Sequence, residues 1–148
     1  MRIALSADHA GYELKDLLAA WLAEVGHEII DLGTNSAESV DYPRFGAALA
    51  EALADGRAER GITICGSGIG VAIAANRNPV CRCAQVAEPL SATLARQHND
   101  CNAIALGARL VGIDMAKACV TAFLSTDFLG GRHERRVDML NHPQEVNC

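Results

Sequence analysis

The sequence predicts an α/β fold, a five-stranded, doubly wound parallel sheet in three layers with helices on both faces. Three observations carry this. Strand-like and helix-like segments alternate five times along 148 residues, with neither an internal repeat nor a linker. The strand-like runs are short, apolar and nearly uncharged, the pattern of strands buried on both faces. Ala is abundant and aromatic residues make up only 4%, a composition suited to helices packed tightly on a sheet.

The elements follow in order. Residues 1–7 (MRIALSA) read as the first strand, with Asp8-His9-Ala10-Gly11 at its carboxyl end. Residues 12–25 are a helix, because Leu14, Leu17, Leu18, Trp21, Leu22 and Val25 recur at three- and four-residue spacing, and Gly26 suits its C-cap. Residues 27–32 (HEIIDL) make the second strand and 33–40 a polar loop. Asp41-Tyr42-Pro43 opens the next helix, with Pro in its first turn, and Asp55-Gly56 ends it. The third strand is 61–65; a glycine loop and a helix beginning at Val71 follow, stopping near Asn78-Pro79. Residues 82–86 are the fourth strand. Glu88-Pro89 opens a helix that ends near Gln97, leaving His98-Asn99-Asp100 as a polar loop. Residues 102–106 (NAIAL) are the fifth strand, and 113–124 a helix with Ile113, Ala116, Val120, Phe123 and Leu124 on one face. Gly130-Gly131 breaks the chain before Arg132-His133-Glu134-Arg135-Arg136. The expected organisation is one domain, 1–140, with a loosely held tail, 141–148.

The chemistry gathers at residues 61–76 (GITICGSGIGVAIAAN), where a strand feeds a glycine loop and then a helix. Unpaired amides of a first helical turn, together with the helix dipole, favour an anion there. Cys65 ends the strand, and Ser67 stands between Gly66 and Gly68, with Gly70 two residues on. The spacing is not the dinucleotide fingerprint, whose third glycine falls one residue later, and the lysine of a phosphate-binding P-loop is absent. Sheets of this kind bind ligands beyond the carboxyl ends of their strands, near a topological switch point. Asp8-His9, residues 65–70, Glu88-Pro89 and the loop at 107–109 fall at that rim.

Each ionisable group here also has a structural reading. Asp8 suits a helix cap, Cys65 suits packing at a strand end, and His98 suits the dipole at a helix C-terminus. Arg132 and Arg136, four apart, share one side of a helical turn and serve equally as a solvated basic face or as forked donors to phosphate. Together they supply a thiol ionisable at a helix N-terminus, amides for an oxyanion, a His that moves protons near neutrality, and cations for a phosphate. Those are the requirements for enolising a phosphorylated sugar.

Composition narrows the alternatives. The net charge of −5 argues against nucleic acid as a general partner. No stretch of about 18 apolar residues is present to span a membrane. The chain enters its first strand with no signal-peptide pattern, and its six Cys show neither CxxC nor zinc spacing. These features point to reduced thiols in the cytoplasm and to no metal.

In Ser6-Ala7-Asp8-His9-Ala10-Gly11, Asp41-Tyr42-Pro43, residues 64–70 (ICGSGIG), Ala74-Ala75-Asn76, Glu88-Pro89, residues 96–100 (RQHND) and residues 130–133 (GGRH), the chain resembles the type B ribose-5-phosphate isomerases and the related galactose- and allose-6-phosphate isomerases. The resemblance runs from residue 2 to about 140. It implies a Rossmann-like domain and an aldose–ketose isomerase that interconverts ribose 5-phosphate and ribulose 5-phosphate through a cis-enediolate. Cys65 would be the base, because the position where some members carry a glutamate is Val71. Ser67 would move a proton between the two oxygens, and the amides of Gly66, Gly68, Ile69 and Gly70 would hold the enediolate. The resemblance further makes His98 the acid that opens the ring, Asp8 a binder of a ring hydroxyl and Asn99 a binder of an enediolate oxygen. His9, Arg109, Arg132 and Arg136 would bind mainly the phosphate. It implies a homodimer, or a dimer of dimers, in which His98, Asn99 and Arg109 cross to the partner's Cys65, and no metal or organic cofactor. A hexose 6-phosphate as substrate, or a non-catalytic phosphosugar-binding module, are the competing readings.

Overall fold

The computed structural model describes residues 1–146; the last two residues of the expected tail lie outside the described part. Strands β1 (Arg2–Ala7), β2 (Glu28–Asp31), β3 (Arg60–Cys65), β4 (Cys83–Gln85) and β5 (Ala103–Gly107) form a sheet in the order β2-β1-β3-β5-β4. Every pairing is parallel. Around it lie α1 (Tyr12–Glu24), α2 (Tyr42–Ala54), α3 (Ile69–Ala75), α4 (Pro89–Asn99), α5 (Ile113–Ser125) and α6 (Glu134–Asn141). The expected three-layer, Rossmann-like α/β fold is the observed one.

Period-two alternation in the strands divides the core. Ile3, Leu5, Ile62, Ile64 and Ile104 face a cluster with Leu14, Leu18 and Leu22 of α1, Ala92 and Ala95 of α4, and Val120 and Phe123 of α5. Ala4, Ala103 and Ala105 face the other way, against Leu49 and Leu53 of α2 and Val71, Ala72 and Ala75 of α3. Fully burying a side chain such as Leu18 or Leu49 contributes about 2 kcal/mol. Two hydroxyls inside the sheet are satisfied: Ser6 Oγ lies 2.9 Å from Thr63 Oγ1 and donates to the Phe45 carbonyl at 3.0 Å.

From β1 the chain moves to β2 on one side, and from β3 it moves to the other, so the switch point lies between β1 and β3. At their carboxyl ends the Asp8 amide donates to the Ile64 carbonyl at 3.1 Å, which sets Asp8 beside the approach to Cys65.

Several expectations are corrected. Leu17 and Val25 are more than half exposed, and α1 buries the narrower stripe of Leu14, Leu18 and Leu22 with the aliphatic stem and ammonium of Lys15. Helix α3 starts at Ile69 rather than Val71. His98 and Asn99 do not form a loop: α4 runs through them and ends on Asp100 in the left-handed region. The Arg96 guanidinium holds that end, bonded to Asp100 Oδ1 at 2.8 Å and to the Cys101 carbonyl at 2.5 Å. Glu88 is the N-cap of α4, its carboxylate accepting from the Leu90 and Ser91 amides. The expected tail begins inside structure, because α6 extends to Asn141, whose Oδ1 accepts from Arg82 Nη1 at 2.7 Å, and 143–145 form a 3-10 turn.

Cys81, Cys83 and Cys101 are buried near the start of β4 and β5, as small core residues. Burial pushes the Cys81 thiol up to about 12 and the Cys101 thiol up to about 11, and lifts Cys83 well above the ordinary range. The unfolded chain ionises these thiols first, so their contribution to stability is complete below about pH 9 and is lost as pH rises through their folded values. Denaturant midpoints are expected to fall between about pH 9 and about pH 11, less steeply in a Cys81→Ala/Cys101→Ala variant. Equal slopes in the two proteins would contradict this account.

Candidate active site

The β-branched run of β3 carries the chain to Cys65 at the carboxyl edge of the sheet, where the thiol is only 5% exposed. The Gly68 amide donates to Cys65 Sγ at 3.1 Å. Gly68 has φ +77°, and a Cβ there would lie 2.9 Å from the Leu106 carbonyl carbon. A side chain at 68 would therefore push the loop off β5 and take its amide from the sulfur. The Ile69 amide donates to Ser67 Oγ at 3.2 Å as α3 begins.

The turn after β5 is fastened to this loop. The Ala108 amide donates to the Cys65 carbonyl at 2.9 Å, and the Arg109 amide donates to the Gly66 carbonyl at 3.0 Å. The Arg109 guanidinium lies over Gly66, 3.1 Å from where a Cβ would stand. On the other side the Tyr42 ring lies against Gly70, where a Cβ would sit 2.5 Å from Tyr42 Cε2. Asp8 completes the group: it is 6% exposed, and its Oδ1 accepts from the Ala10 and Gly11 amides at 2.9 and 3.2 Å. It caps the turn before α1, whose own N-cap position is Gly11.

A cleft of about 560 Å³ opens over these residues, lined by Asp8, Tyr42, Cys65, Gly66, Ser67, Ile69, Gly70, Ile73, Arg109 and Leu110. Its size suits a small ligand of a few polar groups. Its lining includes a sulfur, a hydroxyl, a carboxylate and a guanidinium, next to the start of α3. His9 follows Asp8 and is half-buried, its Nδ1 accepting from the Val40 amide at 3.2 Å.

The remaining expected residues lie elsewhere. Helix α4 starts beyond the carboxyl end of β4 and ends before the amino end of β5, so His98 and Asn99 sit at the opposite edge of the sheet from Cys65. Eleven helical residues separate the two edges by about 16 Å. The segment before α6 docks at the same edge, the Leu129 amide donating to the Gln97 carbonyl at 3.1 Å. There the His98 and His133 rings stack, with centroids 4.5 Å apart and planes 12° apart. Partial burial and the positive neighbours His98, Arg132 and Arg136 hold the His133 ring below the usual imidazole value. Arg132 and Arg136 are exposed one turn apart, Arg136 Nη1 donating to the Arg132 carbonyl at 3.2 Å. Asn99 lines a different cavity, of about 750 Å³, with Arg82 and Cys101.

The expected residues thus fall into two groups. Asp8, Cys65, Gly66, Ser67, Ile69, Gly70 and Arg109 share the cleft, with Gly68 bonded to the sulfur and His9 adjacent. His98, Arg132 and Arg136 gather around His133 at the other edge. The expectation that Arg109 leaves its own chain's Cys65 is corrected, since the 107–109 turn is bonded to the glycine loop of the same chain. Tyr42 and His133 were missed as site residues. Their signals were a tyrosine at the opening of α2 and a second imidazole next to Arg132.

Comparison with known proteins gives concordant results. Residues 3–140 match the family model described as Ribose/Galactose Isomerase. The chain is 46% identical over 139 residues to ribose-5-phosphate isomerase B of Escherichia coli, covering 94% of this chain and 93% of that protein. The solved structure of Clostridium thermocellum ribose-5-phosphate isomerase B superposes with a TM-score of 0.96 at 46% identity, covering 98% of each chain. The Mycoplasma genitalium ribose-5-phosphate isomerase B, solved with bound ribulose 5-phosphate, gives a TM-score of 0.90 at 34% identity, covering 98% of this chain and 97% of that one.

Proposed function

The chain belongs to the ribose/galactose isomerase family, and from that membership we propose that it interconverts ribose 5-phosphate and ribulose 5-phosphate. The observation that carries this reading is one cleft holding the Cys65 thiol, the Ser67 hydroxyl, the glycine-loop amides and the Arg109 guanidinium.

The chemistry runs as follows. His98 gives a proton to the ring oxygen, the bond from that oxygen to carbon 1 breaks, and the anomeric hydroxyl gives its proton to solvent water to leave an open aldehyde. The Cys65 thiolate then takes the carbon 2 proton, and the electron pair flows through carbon 1 onto the aldehyde oxygen. The resulting cis-enediolate rests against the amides of residues 66–70, an interaction worth about 3 kcal/mol of barrier for one such donor. Ser67 passes the oxygen 2 proton to oxygen 1, and the Cys65 thiol returns its proton to carbon 1. Asp8 holds a ring hydroxyl, Asn99 holds an oxygen of the enediolate, and His9, Arg109, Arg132 and Arg136 bind chiefly the phosphate. No step needs electrons from outside the substrate.

The reading includes a homodimer with shared sites. Its support is the separation of the two residue groups onto opposite edges of one chain's sheet. A two-fold partner that lays one edge against the other unites them twice. A cytoplasmic setting is part of the same reading, supported by five free cysteines among the described residues. No helix among those residues is long and apolar enough to cross a membrane.

The test compares kcat/KM on ribose 5-phosphate with that on allose and galactose 6-phosphates, and follows the carbon 2 hydrogen in deuterated water. The expected result is turnover of the pentose phosphate with loss of that hydrogen. A preference for a hexose phosphate would move the substrate assignment within the family. Tight binding with the hydrogen retained would make the protein a phosphosugar-binding module.

A further inference from the structure

Lys15 is completely buried, and the chemistry above does not use it. Its ammonium donates to Asp16 Oδ1 at 2.7 Å, to Asp31 Oδ2 at 2.7 Å and to Asn35 Oδ1 at 3.1 Å. All three of its protons therefore have acceptors. Burial works against its charge, yet the bonds to Asp16 and Asp31 outweigh this and hold it above the usual lysine value.

Two of those acceptors govern the loop 33–40. Asn35 belongs to it. Asp31 stands at its base and accepts the Gly33 amide on its other oxygen at 2.8 Å. At the far end of the loop, the Val40 amide donates to His9 Nδ1 at 3.2 Å. A ring nitrogen that accepts a backbone N–H carries no proton, so the neutral imidazole of His9 bears its hydrogen on Nε2. The loop is thus anchored by Lys15 at one end and sets a tautomer at the other.

We propose that Lys15 is a positioning residue: by anchoring loop 33–40 through Asp31 and Asn35, it keeps the Val40 amide on His9 and so presents His9 to the anionic sugar phosphate as an Nε2–H donor. The substrate half of this rests on the proposed role of His9; the linkage from Lys15 to His9 does not. A loop without its anchor leaves the imidazole free to exchange between two tautomers, only one of which donates from Nε2.

The experiment uses the full-length protein labelled with 15N-histidine, with a His9→Gln variant to assign the signal. The free enzyme is expected to show one tautomer at His9, protonated at Nε2. Lys15→Met and Asn35→Ala are each expected to average the two tautomers. They should also raise KM for ribose 5-phosphate about fivefold with kcat held within about twofold, the scale of one weakened hydrogen bond. Val40→Pro deletes the donor and leaves the Lys15 partners in place, so it should reproduce both changes even where Lys15→Met does not fold. The proposal is overturned if Val40→Pro averages the tautomers while Asn35→Ala and folded Lys15→Met keep the wild-type pattern. Averaged tautomers with KM unchanged would support the linkage and remove His9 from the substrate site.

Discussion

Replacing Cys65 with Ala is expected to leave the fold intact and to lower kcat on ribose 5-phosphate by about a thousandfold or more, within the range that a positioned base supplies. The fold survives because Ala keeps the Cβ and Cys65 lies at the last residue of β3, where its backbone bonds are unaffected. What the structure loses is one small sulfur and its contact with the Gly68 amide, costing about 1 kcal/mol. The chemistry has no substitute, because the position to which the family resemblance assigns a glutamate in some members is Val71, which cannot take a proton. Binding is expected to persist, since Asp8, Arg109 and the loop amides remain. The measurement is steady-state kinetics beside thermal unfolding, with hydrogen exchange at carbon 2 followed in deuterated water. A folded variant that keeps turnover within about tenfold of the wild type would remove Cys65 from the role of base.

The part of the site around Cys65 was legible because its determinants are local. A short β-branched run ending in a thiol, followed by three closely spaced glycines, specifies strand, loop and helix within one stretch, and the side-chain hydrogen bonds of Cys65 and Ser67 lie inside it. Asp8 was legible for a related reason, as parallel pairing of β1 with β3 brings the two strand ends to one rim. The rest depends on distance along the chain. The spacing of Leu14, Leu17, Leu18 and Trp21 describes a helix but not which stripe is buried, and the sheet chose the stripe that includes Lys15. A buried lysine is invisible to hydropathy, because its acceptors Asp31 and Asn35 come from a strand and loop 16 and 20 residues away. The end of β5 places the 107–109 loop at the rim beside residues 65–70, whereas the crossing of Arg109 to a partner rests on resemblance alone and has no local counterpart, since the turn is bonded back to residues 65 and 66. Helix α4 outran its expected end because Arg96, read as part of a polar motif, turns inward and fastens that end to Cys101.

Mixing two defective proteins is expected to restore activity that neither has alone. His98→Asn removes the proposed ring-opening acid at one edge of the sheet, and Cys65→Ala removes the base at the other. If each site draws on both edges from different chains, either variant has two defective sites per dimer. A mixed dimer then gathers both lesions into one site and leaves the other site whole. Random pairing makes half the dimers mixed, so co-expression should return about a quarter of the wild-type rate. A second arm separates ring opening from enolisation. Ribulose 5-phosphate carries its phosphate on the oxygen that would close a five-membered ring onto carbon 2, so it reaches the enzyme as an open chain. His98→Asn should therefore lose the forward reaction from ribose 5-phosphate and keep most of the reverse one, whereas Cys65→Ala loses both. Sites built within one chain would give no recovery on mixing. That outcome would overturn the shared-site reading, whose support is that the length of α4, about 16 Å, stands between the two edges of one chain's sheet.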